Sequence, residues 1–372
     1  MVGIYVHIPF CGSRCVYCGF YSTTRLSERQ RYVDAVCREM SLRGRPEGRV
    51  ATVYLGGGTP SQLSPSQLEQ LLLYINNVYD VADDAEVTIE CNPDDVTPDL
   101  ARLLFQLPVN RVSMGVQTFD DGRLRFLRRR HNAQQAAEAV QLLREAGIDN
   151  ISIDLIYGFP DETLADWHSD VEAALQLDVQ HVSAYALSYE EGTPLERMLS
   201  EGIIQEADEE LQRQMYYDLK DRLEAAGFEH YEISNFARKD SRRSFRSRHN
   251  SSYWNHTPYI GLGAGAHSFD GRRRLWNVSD LDAYIRAIGE GRVPAEWEEI
   301  DDVTFYNETI MTGLRTCEGI LLEQLPQHQR SVCLQQAQRY LACGWLKLTE
   351  GRLHLTREGL FVSDMVMSDL MV

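Results

Sequence analysis

One stretch decides the fold: residues 7–18, His-Ile-Pro-Phe-Cys-Gly-Ser-Arg-Cys-Val-Tyr-Cys. It places Cys11, Cys15 and Cys18 in a Cys-x3-Cys-x2-Cys pattern directly after a predicted first strand at residues 3–8. In barrels of alternating strands and helices, binding and catalytic groups collect at the carboxyl ends of the strands. The three thiols are therefore expected on one loop at that rim.

Three cysteines on one loop predict an iron–sulfur cluster with an incomplete set of protein ligands. Four thiolates saturate a [4Fe-4S] cube, whereas Cys11, Cys15 and Cys18 leave one iron open for an outside ligand. The amino and carboxylate groups of S-adenosylmethionine (SAM) can fill that position, and an electron from the cluster then cleaves the sulfonium to a 5′-deoxyadenosyl radical. A structural zinc site is the main alternative, but it takes four protein ligands, commonly from two CxxC-like pairs, and the sequence has no second pair. Tyr17 is placed to pack on the adenine.

Composition places the chain among globular α/β proteins. Its 372 residues are 43% hydrophobic and 25% charged, which suits one large domain and a smaller one. The formal net charge of -18 argues against charge-driven nucleic-acid binding, which needs a positive surface. The sequence shows neither a signal-peptide pattern nor an apolar run of about 18 residues, so we expect a cytoplasmic protein.

Short apolar runs alternate with amphipathic stretches, which is the pattern of repeated βα units around a parallel sheet. Strands are predicted at residues 3–8, 52–55, 86–90, 111–116, 150–155 and 181–187. Helices are predicted at residues 28–42, 64–79, 133–146, 164–175 and 208–226, with a further strand at 229–233. This spacing suits a barrel or a partial barrel.

The pattern changes after about residue 236. Residues 237–269 are rich in Ser, Arg, Gly and aromatic side chains and are expected to form a long functional loop region. We predict a core barrel at residues 1–235, a connecting region at 236–300, and a smaller helical, winged-helix-like domain at 301–372.

Glycines or polar residues follow each of the next four predicted strands. Residues 56–60, Gly-Gly-Gly-Thr-Pro, follow the second strand, Glu90 ends the third, Gln117 follows the fourth and Asp154 lies near the end of the fifth. Each alone is an ordinary turn or cap residue. Together they predict one ligand-binding rim, because glycines let the backbone approach a ligand and polar groups orient it. Arg129 can reach the same rim with its guanidinium group.

These motifs resemble the HemN-like radical SAM proteins, and among them the HemW-type haem chaperones, along almost the whole chain. The matching segments are His-Ile-Pro-Phe-Cys11, Gly-Gly-Gly-Thr-Pro, Glu90-x-Asn-Pro, Gly-Val-Gln117-Thr-Phe, Asp154-Leu-Ile-Tyr-Gly-Phe-Pro and His249-Asn-x-x-Tyr253-Trp254. The resemblance implies a partial TIM-like (β/α)6 barrel with a HemN-type C-terminal domain. It also implies contacts with one or two SAM molecules from Tyr5, Gly57, Gly58, Thr59, Glu90, Gln117, Arg129 and Asp154.

Residues 249–254 distinguish the chaperone group from the enzyme group. A neutral His249 imidazole is a good axial ligand for haem iron, and Tyr253 and Trp254 offer flat apolar surface for a macrocycle. The alternative is that His249 and Trp254 are packed beneath a loop; the resemblance favours haem. The arginine-rich run at residues 238–248 is either a solvated loop or a partner for haem propionates.

Two functions remain open from the sequence. The first is a chaperone that binds haem and a SAM-ligated [4Fe-4S] cluster and passes haem to respiratory proteins. It would act at times at the inner face of the membrane, with haem-dependent homodimerisation as an option. The alternative is oxygen-independent coproporphyrinogen III dehydrogenase, whose radical abstracts hydrogen from propionates that then lose carbon dioxide. That enzyme group carries a further cysteine where this chain has Phe20, and a long arm before the first strand, so both departures favour the chaperone.

Overall fold

The computed structural model describes all 372 residues, and its centre is a sheet of six adjacent parallel strands. All six strands predicted from the sequence are present and run side by side in chain order. They are β1 (Val2–Ile8), β2 (Val50–Gly57), β3 (Val81–Cys91), β4 (Arg111–Gln117), β5 (Ile151–Tyr157) and β6 (His181–Ala186). The open parallel sheet confirms the expected partial (β/α)6 barrel.

Helices connect these strands and cover the outside of the sheet. They are α1 (Arg29–Arg43), α2 (Pro65–Val78), α3 (Pro98–Gln106), α4 (Asp121–Phe126), α5 (Ala133–Ala146), α6 (Leu164–Gln176), α7 (Pro194–Ser200) and α8 (Glu209–Ala225). The bounds follow local signals: Ser64 and Asn132 form capping boxes at the starts of α2 and α5, and Gly147 ends α5 with a φ of 101°. Between strands and helices lies the main apolar core.

The sheet continues beyond β1 and β6 with shorter strands. These are β7 (Phe228–Glu232), β8 (Asn235–Arg238), β9 (Tyr259–Leu262), β10 (His267–Phe269), β11 (Arg273–Asn277) and β12 (Ala295–Glu299). The β7–β8 hairpin pairs antiparallel to β6, whereas β9 pairs parallel to β1 and leads into the antiparallel β10–β12.

The expected long loop at residues 237–269 is wrong in part. This segment contains the end of β8, a seven-residue helix α9 (Arg248–Trp254), and both β9 and β10. Its strands have three or four residues, too few to show a period in the sequence. They form because the edge of β1 offers backbone groups for β9 to pair with. A further helix, α10 (Leu281–Gly289), packs its buried residues into the main core.

The remainder of the chain consists of helices around a small sheet. Its elements are α11 (Asp302–Leu314), β13 (Ile320–Leu321), α12 (Gln327–Ala342), β14 (Leu346–Thr349), β15 (Arg352–Leu355), α13 (Arg357–Leu360) and α14 (Ser363–Leu370). The strand order is β13-β15-β14, all antiparallel. A separate cluster of 14 buried residues holds these elements together. The domain limits at residues 235 and 300 stay a prediction.

No helix of this chain has the length and apolar character that a membrane span requires.

Alternation along the strands decides which side chains reach the inside of the partial barrel. Successive side chains of a strand point to opposite faces. On β4 and β5 the inward series includes Arg111, Ser113, Asp154 and Ile156, which line one interior cavity. The intervening residues, such as Val112, belong to the main core under the helices. Polar groups therefore collect inside the barrel.

Candidate cluster and ligand site

The three cysteines of the motif lie on the loop after β1 and line one cavity of about 180 Å³. Cys11 is buried, and Cys15 and Cys18 are partly buried. No group of three or more His, Cys, Asp or Glu side chains is placed to hold a single metal ion. Zinc would need thiolates at about 2.3 Å from one centre. The chain therefore presents no ready set of ligands for a single zinc ion.

Two polar side chains approach the cysteine sulfurs. The Thr59 hydroxyl donates to Cys11 Sγ at 3.6 Å, and Arg129 Nη1 donates to Cys15 Sγ at 3.5 Å. Burial raises the pKa of the Cys11 thiol, and the hydrogen bond from Thr59 opposes that shift. A nearby cation and hydrogen-bond donors favour the thiolate, which is the form that binds metal. The surroundings of the loop are thus suited to cluster ligation.

The glycine turn after β2 forms a cradle beside the cysteine loop. Gly57 has a φ of +111°, and a Cβ atom there would lie 2.4 Å from His7 Nδ1. A Cβ on Gly58 would lie 2.8 Å from the carbonyl oxygen of Ile8. Neither position tolerates a side chain without rearrangement, because both glycines pack against the end of β1, and both line the cavity at the cysteine loop. Close approach of their backbone to a ligand stays a prediction.

Two buried carboxyl groups face the same interior. Glu90 accepts hydrogen bonds from the Tyr54 hydroxyl at 2.7 Å and from the Gly57 backbone N–H at 3.0 Å. Burial raises the pKa of Glu90 to about 7. Burial likewise raises the pKa of Asp154 to about 6, against hydrogen bonds that lower it. Both groups therefore change charge near neutral pH, which is typical of ligand-binding interiors.

Gln117 has an unusual backbone at the end of β4. It is buried and has a φ of +72°, a left-handed conformation that is uncommon outside glycine. The pairing of β4 with β5 shifts register at the same place, between Gly115 and Gln117. Such strain is retained where the surrounding structure fixes a functional side chain.

Arg129 reaches the rim from the segment after α4. Its Nη2 donates to Asn92 Oδ1 at 2.7 Å and to the Gly115 carbonyl at 2.6 Å. Its Nε is buried without a hydrogen-bond partner. The guanidinium is thus fixed beside the Cys15 sulfur with one donor still free.

The structure brings the predicted SAM residues together, with one exception. The cavity at the cysteine loop is also lined by Tyr17, Gly57, Gly58, Thr59, Glu90, Gln117, Arg129 and Asp154. Tyr5 does not line it: its hydroxyl lies 3.0 Å from His7 Nδ1, and its ring stacks on those of Tyr54 and His249. The glycine cradle, the free donor of Arg129 and the three thiols together fit a SAM-ligated [4Fe-4S] cluster.

His249 lies inside the protein with both ring nitrogens engaged. Its Nδ1 lies 2.8 Å from the Thr52 hydroxyl and its Nε2 lies 2.8 Å from the Tyr253 hydroxyl. The backbone N–H groups of Arg248 and His249 donate to the Glu86 carboxylate, which fixes the start of α9. Burial lowers the pKa of His249 to about 3, so the imidazole is neutral. Iron ligation by His249 remains a prediction, and it requires one of these hydrogen bonds to open.

The other two residues of the motif line an aromatic cleft on the outside of the barrel. Tyr253 and Trp254 border a cavity of about 370 Å³ between α9 and α11. Its other lining residues are His256, Thr257, Tyr259, Phe269, Arg274, Glu308, Met311 and Thr312. Sequence reasoning missed His256 and Arg274; the proximity of His256 to residues 249–254 was the only signal.

The arginine-rich run does not point its charges into this cleft. Most of its arginines form ion pairs with carboxylates of the protein: Arg238 with Asp178, Arg243 with Asp149, Arg246 with Glu229, and Arg248 with Asp84. These pairs are largely exposed and each contributes little to stability.

A third and larger cavity, of about 1040 Å³, adjoins the cysteine loop. Its wall includes Tyr17 and Cys18 from that loop, Arg111 from β4, Arg315 after α11 and Phe361 near the chain end. It therefore lies between the barrel and the last 60 or so residues of the chain. Sequence reasoning did not single out Arg111, although a charged residue opening a predicted strand was a signal.

Comparison with known proteins agrees with this geometry. Residues 5–174 match the Radical SAM superfamily, and residues 300–362 match the HemN C-terminal domain. In overall structure, the chain superposes on coproporphyrinogen III oxidase (HemN) from Escherichia coli with a TM-score of 0.86, covering 100% of this chain and 90% of that one, at 20% identity. At that identity the likeness concerns the fold.

Three relatives are more similar in sequence. The haem chaperone HemW of Bacillus subtilis is 36% identical, covering 86% of this chain and 85% of the relative. HemW of Mycobacterium tuberculosis is 35% identical, covering 99% and 94%. The mitochondrial radical S-adenosyl methionine domain-containing protein 1 of Bos taurus is 31% identical, covering 99% and 87%.

The fold and the cysteine loop define a radical SAM protein of the HemN-like type. Within that class, the chain belongs to the HemW family.

Proposed function

We propose that this protein is a haem chaperone, which binds haem and a SAM-ligated [4Fe-4S] cluster and delivers haem to other proteins. The HemW relatives, similar over most of their length, support this assignment. The single structural observation that carries the haem part is the cleft in which Tyr253 and Trp254 meet Tyr259 and Phe269. Aromatic walls of this kind offer apolar, planar contact to a macrocycle.

We assign the cluster to Cys11, Cys15 and Cys18. When bound, such a cluster supplies an electron to the sulfonium of SAM. The protein's own part is to bind and orient: Arg129 beside Cys15 holds a positive charge at the rim, and the backbone of Gly57 approaches the ligand.

The other predicted SAM contacts divide the remaining tasks. Glu90 and Asp154 are buried hydrogen-bond acceptors for the polar groups of SAM when ionised. Gln117, held in its left-handed conformation, presents an amide to the same cavity. Tyr5 acts indirectly by holding His7, on which Gly57 packs.

For haem, the outer cleft supplies three kinds of contact. Tyr253 and Trp254 give flat surface, and Arg274, which pairs with Glu308 at 2.8 Å, gives a cation that a propionate would share. His256 lies in the same cleft, partly buried, with Nε2 3.3 Å from the Thr309 hydroxyl. It is therefore more accessible to an iron atom than His249, whose ring is enclosed.

Haem titration of purified protein tests this assignment. We expect Trp254→Ala to weaken binding at least about tenfold, since a buried aromatic contact contributes more than about 1.4 kcal/mol. Comparing His249→Ala with His256→Ala identifies the iron ligand by the change in the haem absorption spectrum. His168→Ala, a partly exposed histidine on α6, serves as the control. Wild-type haem affinity in Trp254→Ala, His249→Ala and His256→Ala would exclude the cleft as the haem site.

The second candidate function is oxidative decarboxylation of coproporphyrinogen III. The observation in its favour is the cavity of about 1040 Å³ beside the cysteine loop. Phe20, where that enzyme group carries a cysteine, lies on the wall of this cavity. Anaerobic incubation with coproporphyrinogen III, SAM and a reductant separates the two functions. Protoporphyrinogen formation would favour the enzyme, and its absence together with haem binding would favour the chaperone.

The partners follow from the chaperone assignment. We propose that the recipients are respiratory haem proteins, including membrane-bound ones, which the protein meets at the inner face of the membrane. Haem-dependent dimerisation is part of the same proposal. Size-exclusion chromatography with and without haem tests it, and a mass that does not change would exclude it.

A further inference from the structure

We propose that Arg111 is the carboxylate-binding residue of the large cavity between the barrel and the C-terminal elements. Arg111 opens β4 and points inward, where it lines that cavity of about 1040 Å³. Its side chain is only 1% exposed, which makes it one of the largest fully buried side chains in the protein.

The guanidinium of Arg111 forms no direct ion pair with a carboxylate, although Glu90 and Asp154 are close enough for Arg111 to oppose the rise in their pKa values. Its Nε is buried without a hydrogen-bond partner. Arg315, on the same cavity wall, also has a buried Nε without a partner, but it differs because its Nη2 pairs with Glu232 at 3.0 Å. Arg129 likewise donates to three neighbouring groups. A buried guanidinium without a direct ion pair is costly, so its retention points to an anion that completes the site.

The charges around the cavity count against a doubly charged anion. Besides Arg111 and Arg315, the wall carries four carboxyl groups: Glu90, Asp154, Glu190 and Asp364. A phosphate group with two negative charges would meet about twice the repulsion from these carboxyl groups that a carboxylate would meet. A carboxylate suits it better, because the planar guanidinium fork binds carboxylates through two parallel hydrogen bonds.

The cavity also has polar and apolar groups that could contact the rest of a carboxylate-bearing ligand. Ser113 and Ser183 line it beside Arg111, and Tyr185 and Phe361 provide apolar surface. Two ligands of the proposed function carry carboxylates: SAM through its methionyl end and haem through its propionates. The inference rests on the proposed function only for this choice of probes.

A cycle of variants and matched ligands tests the inference on the holoprotein with its reconstituted cluster. Wild type, Arg111→Met and Arg111→Lys are each titrated with SAM and decarboxylated SAM, and with haem and haem dimethyl ester. We expect Arg111→Met to weaken binding of one carboxylate-bearing probe by about 30-fold or more, because truncating one partner of a buried charge pair costs about 2 kcal/mol or more. Affinity for the matching probe without the carboxylate should not change, and Arg111→Lys should fall between.

The pattern across probes identifies the ligand and separates the possible failures. A selective loss for SAM assigns Arg111 to SAM. A selective loss for haem assigns it to a propionate and places haem in this cavity instead of the outer cleft. If wild type fails to bind haem, the chaperone proposal fails, while the SAM comparison still decides the role of Arg111. The inference would be overturned if Arg111→Met weakened binding of the carboxylate-bearing probe and of its carboxylate-free match equally in both pairs. It would also be overturned if the variant bound all four probes as wild type does.

Thermal unfolding of the ligand-free variants provides a second readout. Replacing an uncompensated buried cation by an apolar side chain of similar length is often neutral or stabilising. We therefore expect the melting temperature of Arg111→Met to equal or exceed that of wild type before ligand is added. A large decrease would show that Arg111 is a structural cation and would contradict the proposal.

Discussion

The Thr52 hydroxyl of β2 lies 2.8 Å from Nδ1 of His249, in the helix that carries the haem motif. The opposite ring nitrogen lies 2.8 Å from the Tyr253 hydroxyl. His249 therefore connects the inside of the barrel to the residue that borders the outer cleft. Its first role in this structure is to position α9, and through it Tyr253 and Trp254.

Replacing His249 should cost stability as well as any haem affinity. We expect His249→Ala to lower the free energy of unfolding by about 2–4 kcal/mol, because it opens a buried cavity and removes the partner of the Thr52 hydroxyl. Urea unfolding of the protein without haem measures this change. His249→Gln, which keeps a hydrogen-bonding group, should lose less. An unfolding free energy equal to wild type in His249→Ala, with haem binding lost, would instead make His249 an iron ligand with no structural role.

The same residue predicts a pH dependence of stability. The pKa of His249 is about 3 in the folded protein, against an ordinary value of 6.5. Below pH 6.5 the unfolded chain takes up a proton that the folded protein does not, so stability is present above that pH and is lost as the pH falls towards 3. We expect His249 to account for about 2 kcal/mol of the loss between pH 7 and pH 5. Urea titrations at both pH values should show a smaller loss in His249→Gln; equal losses would refute the assignment.

The glycine cradle should be intolerant of even a methyl group. In Gly57→Ala the new Cβ meets His7 Nδ1 and the backbone is strained at a φ of +111°. Gly192→Ala is the matched control, since Gly192 also has a positive φ, +79°, but nothing lies within 4 Å of its Cβ position. Strain alone costs about 1–3 kcal/mol, so both variants should melt earlier. Only Gly57→Ala should also lose SAM affinity, measured by equilibrium dialysis; equal SAM affinity in both would remove the cradle from the site.

The ligand set of the cluster is tested by single substitutions. Reconstituted wild type should contain about four iron and four sulfide per chain. Cys11→Ser, Cys15→Ser and Cys18→Ser should each lose most of this content, because three ligands already leave one iron open. The control is Cys343→Ser, at an exposed cysteine that directly follows α12 and lies outside the Cys-x3-Cys-x2-Cys motif. Wild-type iron content in any of the first three variants would remove that cysteine from the ligand set.

Much of the fold could be predicted because local pattern and tertiary structure agree. The strands at residues 3–8 and 111–116 appear as β1 and β4, and the helix at 133–146 has the predicted bounds. The same order of strands placed Glu90, Gln117 and Asp154 at one rim, since parallel strands end at the same edge of a sheet. The hydrophobic pattern was enough to predict those helices and strands whose own residues show a helical or strand periodicity.

What could not be predicted depends on long-range pairing and on side-chain direction. The strand β9 forms on the edge of β1, more than 250 residues earlier in the chain, and no local period indicates it. The sequence predicts that residues 249–254 bind haem together. In the structure, however, His249 lies inside the barrel, whereas Tyr253 and Trp254 line the outer cleft. The SAM contact of Tyr5 stays a prediction from resemblance; in the structure its hydroxyl is paired with His7.

The central claim, a cluster held by three cysteines with one iron open to SAM, is tested most directly by EPR. The reconstituted protein is reduced anaerobically and its spectrum is recorded before and after SAM is added. We predict the signal of a reduced [4Fe-4S] cluster whose g-values shift when SAM binds the open iron. No cluster signal, or a spectrum that SAM leaves unchanged in wild type, would contradict the claim.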